Sequence, residues 1–342
     1  MLSIADINEA RTTIAGSAIR TPLVRLNVPD APAEIYLKLE NLQPIGSFKI
    51  RGAANAMGHM SPETLSHGVL TASAGNMAQG VAWQARKLGI PCTVVAPETA
   101  PETKIRAIER LGGRVIKAPH EVWWQAFEER SFPGEDGAFI HAFDDPYVMA
   151  GNGTIALEIM EDLPDVDAIV VPWGGGGLAC GIAAAMRELK PSCKIYAAEV
   201  ATAAPLGPSM AAGSPQTADY QPSFVDGIGA RTVFPQMLAL AQTLLDGALV
   251  AELEEVSSAL RLIAERNRVI AEGAGATPVA CVLRAFGNTK KGGFSAGHSS
   301  TVHCSPFTVH SKIVCIVSGG NIDFDKLCSI LTESEPGAKA TG

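Results

Sequence analysis

The chain has 342 residues, room for two domains or one large α/β unit, and its 47% hydrophobic and 18% charged residues make a globular composition with a lightly charged surface, which excludes general disorder. Lys and Arg number 27 against 35 Asp and Glu, a net charge of −8 without any long basic run, so the electrostatic footprint of a nucleic-acid binder is missing. Residues 1–16 carry Asp6 and Glu9 and lack the basic start and apolar block of a secretory signal, and no apolar run reaches the roughly 18 residues that span a membrane. The seven cysteines never fall in Cys-x-x-Cys spacing, which argues against a disulfide scaffold or zinc ribbon. A cytoplasmic enzyme or binding protein is expected.

In chain order, short apolar strands alternate with Ala-rich helical stretches, the rhythm of a parallel sheet with helices on both faces. Residues 34–40 alternate as a strand. After the Pro44-Ile45-Gly46 turn, Ser47 is placed to cap a helix from Phe48 to about Met60. A compact block follows, with strand 68–72, the polar loop Ser73-Ala74-Gly75-Asn76, helix 77–88, strand 91–96, amphipathic helix 101–111, strand 114–117 and helix 121–130.

A second block comprises strand 167–172, the run Gly174-Gly175-Gly176-Gly177, apolar helix 178–189, strand 194–199, a loop rich in Pro, Gly and Ala over 201–222, and helix 252–267. Over 285–311 the periodicity fails, and Lys290, Lys291, His298, His303 and His310 make a basic tract that reads as an irregular insertion loop. The spacing of His298, His303, Cys304 and His310 fits no standard zinc site. Order resumes with strand 312–317, which ends in Ser318-Gly319-Gly320-Asn321. The division expected is a large domain from 1–66 and 147–332, a small domain over 67–146, and a tail at 333–342.

Strand, four glycines and apolar helix point backbone N–H groups and a helix N-terminus at one spot, where a phosphate would be held. The same segment, Gly174-x-Gly176-x-x-Ala179 with Glu199 following, also matches a dinucleotide fingerprint, so NAD binding is a rival. That rival leaves three other polar loops without a role. One places Lys49 in the first turn of a helix, where the helix dipole disfavours its charge and lowers its pKa. Another, Ser73 to Asn76, opens a helix whose free amides suit a carboxylate and whose Asn can bond a ring hydroxyl. The third is Ser318 to Asn321. Each alone is an ordinary turn; four in one chain are not.

With Ser47-Phe48-Lys49-Ile50-Arg51-Gly52-Ala53 as the first, these four motifs together resemble the fold-type II pyridoxal-phosphate enzymes, above all the threonine/serine dehydratases and serine racemases, over residues 23–331. The resemblance implies an α/β fold of two doubly wound domains with mostly parallel sheets, like the tryptophan synthase β chain, and pyridoxal 5'-phosphate as cofactor. It gives Lys49 the covalent link to the cofactor and the proton transfer, and Phe48 a place near the ring. Gly174, Gly175, Gly176, Gly177 and Leu178 fall on the phosphate, Asn76 on the ring hydroxyl, Ser318 beside the pyridine nitrogen, and Glu272 near the cofactor. The substrate carboxylate falls on the amides of Ser73, Ala74, Gly75, Asn76 and Met77. No metal ligand set is expected, because Ala204 and Pro205 stand where an acidic residue would follow Glu199 and Ala203.

The activity implied is loss of the β-hydroxyl of a β-hydroxy amino acid with its Cα proton, releasing an enamine that takes up water to become a 2-oxo acid and ammonia. A neutral Ser at the pyridine nitrogen, in place of an acidic residue, does not enforce ring protonation, so the carbanion is less delocalised and elimination is favoured over transamination. Ala74 disfavours racemisation, since related racemases carry a serine there and a two-face proton exchange needs two bases. A serine racemase, a β-replacement synthase and a non-catalytic binder of the cofactor are the alternatives. Of Trp123 and Trp124, one could line a pocket for an aryl substrate, though core packing is the plainer reading. The resemblance also implies a homodimer, and with the chain ending soon after Leu331 the regulatory domain of biosynthetic threonine dehydratases is not expected.

Overall fold

The computed structural model describes residues 2–29, 31, 33–287 and 305–332. The elements run α1 (Ile4–Thr13), β1 (Leu23–Arg25), β2 (Glu34–Leu39), α2 (Lys49–Gly58), α3 (Pro62–Ser66), β3 (Val69–Ala72), α4 (Asn76–Leu88), β4 (Cys92–Pro97), α5 (Glu102–Arg110), β5 (Arg114–Ala118), α6 (His120–Glu129) and β6 (Ala138–Phe139). They continue with α7 (Pro146–Asp162), β7 (Ala168–Pro172), α8 (Gly177–Leu189), β8 (Lys194–Val200), α9 (Leu206–Ala212), α10 (Pro235–Leu244), β9 (Gly247–Ala251), α11 (Leu253–Asn267), α12 (Gly273–Ala285), β10 (Lys312–Val317) and α13 (Phe324–Thr332).

The strands form two sheets, ordered β1-β2-β10-β7-β8-β9 and β5-β4-β3-β6. Every pairing is parallel except β1 with β2, as expected of the α/β class. The central strands of the larger sheet are buried on both faces, which is why 168–172 and 312–317 read as unbroken apolar runs. Along β10, Val314 and Ile316 face one core with α1, α7, α8 and α10, while Ile313, Cys315 and Val317 face the other with α11, α12 and α13.

Three helices set the geometry of the site. Helix α7 is crossed on one side by α2 and on another by α8, and small residues let the backbones meet. A Cβ on Gly151 would stand 2.4 Å from the Arg51 carbonyl oxygen, and one on Gly181 would stand 2.3 Å from that of Met149. The starts of α2 and α8, which carry Lys49 and the glycine run, are thereby fixed against one support.

Among the differences from the sequence expectation, three bear on how the site is built. Ser47 does not cap α2: the cap position is Phe48, no side chain fills it, and Ser47 Oγ is buried without a partner. Its backbone is instead drawn into an antiparallel bridge with Gly319. Helix α9 forms inside the presumed loop 201–222. Helix α7 was not anticipated, because it is buried on nearly all sides and lacks an amphipathic period. Of the presumed insertion, 305–311 carries neither helix nor strand, and 288–304, with Lys290, Lys291, His298, His303 and Cys304, lies outside the described residues. No helix among the described residues is long and apolar enough to cross a membrane.

Candidate active site

Two loops interlock where α2 begins. Phe48 N–H donates to the Ser318 carbonyl at 3.0 Å, and Gly320 N–H to the Gly46 carbonyl at 2.9 Å. Gly46 has φ +73°, and a Cβ there would lie 2.6 Å from Asn321 Oδ1, so the turn needs glycine for both conformation and space. Lys49 opens α2 immediately afterwards. Its Nζ donates to the Ala142 carbonyl at 2.7 Å and lies 5.1 Å from the Phe48 ring centre. Helix α4 closes in behind, since a Cβ on Gly80 would stand 3.2 Å from the Lys49 carbonyl carbon.

The lysine pKa is pushed down to about 8, chiefly by burial, with the Glu272 carboxylate opposing. The direction is the one the sequence suggested. The cause is loss of water around the amine, with the helix dipole playing no leading part.

The glycine run joins β7 to α8. A Cβ on Gly175 would fall 1.9 Å from the Phe143 ring, one on Gly177 2.5 Å from the Phe143 carbonyl oxygen, and Gly176 adopts φ +93° with Trp173 against it. Gly174 approaches the Gly227 carbonyl oxygen, 3.3 Å from where its Cβ would be. Helix α8 has no side-chain cap, and the N–H groups of Gly174 to Gly177 and of Leu178 find no acceptor among the described residues. Five successive free amides at an uncapped helix start, on glycines packed too closely for side chains, suit a phosphate, so the residues present fit a phosphorylated cofactor. Residues 142 and 143 connect this cradle to the lysine, the one through its carbonyl and the other through its ring.

Asn76, first residue of α4, donates from Nδ2 to Glu272 at 2.9 and 3.2 Å and accepts at Oδ1 from Asn321 Nδ2 at 2.7 Å. Ser318 is buried at the end of β10. In the adjoining loop, Ser73 N–H is taken by the Val95 carbonyl and Gly75 N–H by Ser73 Oγ. The amides of Ala74, Asn76 and Met77 are left for a ligand, while the Met77 side chain turns into the core.

Glu199 is fully buried and accepts from Leu206 and Gly207 N–H at 2.8 and 3.2 Å, capping α9; burial pushes its carboxyl up to about 7. Committed there, it is unavailable to a nucleotide ribose, which removes the support for the dinucleotide reading. No group of three or more His, Cys, Asp or Glu among the described residues is placed to hold a metal ion. Trp124 stacks on Phe127, with ring centres 5.5 Å apart, and meets Phe234 at 6.0 Å, in an aromatic cluster that reaches Phe143. The Ala142 carbonyl, Phe143 and Gly227 escaped the sequence reading because main-chain acceptors and single aromatics carry no local signal.

Comparison with known proteins agrees with this geometry. The profile of the family described as pyridoxal-phosphate dependent enzyme matches residues 14–304. The chain is similar to an L-threonine ammonia-lyase of Thermotoga maritima, 37% identical over 337 residues, covering 97% of this chain and 79% of that one. Among solved structures it resembles maize serine racemase, with TM-score 0.82, 33% identity and 96% of each chain covered. It also resembles threonine deaminase isoform 2 of Solanum lycopersicum, with TM-score 0.82, 31% identity, and 96% of this chain and 86% of that one covered.

Proposed function

The chain belongs to the pyridoxal-phosphate dependent enzymes, and from that premise we propose that it is an ammonia-lyase converting a 3-hydroxy amino acid, threonine or serine, to a 2-oxo acid and ammonia. The observation that carries the reading is the meeting of a half-buried lysine, its pKa pushed down to about 8, with an uncapped glycine cradle, in a chain 37% identical to an L-threonine ammonia-lyase. Bound there, the cofactor supplies an electron sink for the charge left at the substrate Cα.

The chain's own residues do the rest. With a pKa near 8, the Lys49 amine is the group that would hold the cofactor and that, once freed by the substrate's amine, would take the Cα proton. Gly174, Gly175, Gly176, Gly177 and Leu178 would hold the phosphate with backbone N–H groups, Phe48 would pack by the ring, and Asn76 and Ser318 would bond its polar edge. The Ala74 amide, in the loop from Ser73 through Gly75, and the Asn76 and Met77 amides at the start of α4 would hold the substrate carboxylate. The Cα proton and β-hydroxyl leave as water, and one water returns as the nitrogen departs as ammonia. Residues 67–146 close as a small domain on 1–66 and 147–332. The working form is a cytoplasmic homodimer, which light scattering on a sizing column checks.

Hydride trapping of the holoenzyme followed by peptide mass mapping should place the cofactor adduct on Lys49, with 2-oxo acid released from L-threonine or L-serine. An adduct on another residue, or none, overturns the assignment. Serine racemisation is a second reading, supported by the likeness to maize serine racemase. Ala74 weighs against it. The wild-type protein should form no D-serine, and Ala74→Ser should gain measurable D-serine by chiral chromatography, because it adds a hydroxyl that can carry the second proton.

A further inference from the structure

Asn76 has an amide committed at both ends. Nδ2 donates to Glu272 Oε1 at 2.9 Å and Oε2 at 3.2 Å, while Oδ1 accepts from Asn321 Nδ2 at 2.7 Å. Asn321 Nδ2 also donates to the Ile45 carbonyl at 2.8 Å, which ties it to the loop preceding Lys49. These partners fix the amide's sense: turned over, Asn76 would set a donor against Asn321 and an acceptor against a carboxylate, losing both bonds.

Glu272 has little freedom of its own. Its N–H donates to the Gly319 carbonyl at 2.9 Å, and a Cβ on Gly319 would stand 2.5 Å from Oε1. The Asn321 backbone N–H also faces its carboxylate. Glu272 forms no ion pair among the described residues. The charged groups that face it are Lys49 on α2, Lys104 on α5 and Asp226 in the short helical turn Asp226–Ile228, the last two paired with each other at 2.6 Å. A buried carboxylate whose side-chain partner is a neutral amide is costly to keep, and here it spends its acceptors on orienting one side chain.

We propose that Glu272 and Asn321 are positioning residues that lock the Asn76 amide, leaving its second Nδ2 hydrogen for the cofactor. This rests on the placement of the cofactor described above. Burial pushes the Glu272 carboxyl up to about 7. Ionised above that pH, it accepts from Asn76 with both oxygens; protonated below it, one oxygen becomes a donor, only the other still accepts, without charge, and the lock weakens.

The test is equilibrium titration of apoprotein with pyridoxal phosphate, read by absorbance and tryptophan quenching, with apoprotein melting as the control for folding. At pH 8, Asn76→Ala and Glu272→Ala should each weaken binding about tenfold or more, the loss of a hydrogen bond to a charged group. The double variant should lose no more than Asn76→Ala alone. Glu272→Gln keeps an acceptor without a titrating proton, so it should bind within about threefold of wild type and lack the part of the wild-type weakening between pH 8 and 6 that Glu272 contributes. Additive losses in the double variant, or wild-type affinity in Glu272→Ala, overturn the proposal while leaving the cofactor site intact. A wild-type chain that takes up no cofactor overturns the site and this proposal with it.

Discussion

Lys49 burdens the protein that carries it. An amine whose pKa drops from 10.5 to about 8 on folding destabilises the native state by an amount that is full below about pH 8 and gone above pH 10.5, since between these values only the unfolded chain holds the proton. Discounted for its partial exposure and for the bond to the Ala142 carbonyl, the net burden is ~1 kcal/mol. Lys49→Met should therefore abolish turnover and yet raise the apoprotein melting temperature at pH 7 by about 2 °C, a gain that disappears at pH 10.5. Scanning calorimetry at the two pH values checks it; an apoprotein less stable than wild type at pH 7 would show that burial does not strain the amine. The position of this lysine in a first turn was legible from residues 46–53. What lowers its pKa was not, because the surrounding apolar walls come from α4 and residues 142–143, remote in sequence.

Helix α2 presents that lysine, and a buried ionic cluster two residues along holds the helix in place. Arg51 donates to both Glu40 oxygens at 2.8 Å, to Glu158 at 2.7 and 3.0 Å and to Thr154 Oγ1 at 3.0 Å, and Lys38 reaches Glu158 at 2.6 Å. Two cations and two carboxylates balance, so removing one leaves an uncompensated buried charge. Arg51→Met should cost about 3–5 kcal/mol in urea unfolding of the apoprotein, and Arg51→Lys less, because it keeps the charge while losing the fork. Equal losses in the two would mean that shape, and not charge, is what the cluster supplies. Strands such as β7 and β10 were legible to within a residue or two, because a parallel sheet buried on both faces demands apolar runs bounded by Gly and Pro. Helices α7 and α9 were not: the one is apolar on nearly all sides, and the other is a seven-residue helix within a run of Pro, Gly and Ala, its first amides capped by Glu199 from the end of the preceding strand. The same blindness explains the Ser47 error, since its competitor for hydrogen bonding, Gly319, lies at the far end of the chain.

Residues 67–146 meet the larger sheet's elements on either side of Lys49 through few polar contacts, and these are set by tertiary neighbours alone. On one side, Lys104 pairs with Asp226 at 2.6 Å and Thr103 Oγ1 donates to Asp323 at 3.0 Å, joining α5 to the larger sheet's loops. On the other, Gln236 donates to Asp144 at 2.8 Å and Phe234 packs on Phe143 with ring centres 5.3 Å apart. Lys49 on Ala142 lies between. If residues 67–146 close on the rest when substrate binds, the Lys104–Asp226 pair belongs to the closed state, and a half-exposed ion pair is worth up to ~1 kcal/mol. Lys104→Met should then raise KM for the amino acid up to about fivefold with a smaller change in kcat. Raising salt from 50 to 500 mM should move wild-type KM the same way, because screening weakens the same pair, and should leave the variant nearly unmoved. Steady-state kinetics of both proteins at the two salt concentrations decide it: equal salt sensitivity would place the pair outside the closing motion and assign closure to the aromatic contact, where Phe234 and Phe143 meet in a way that salt does not screen.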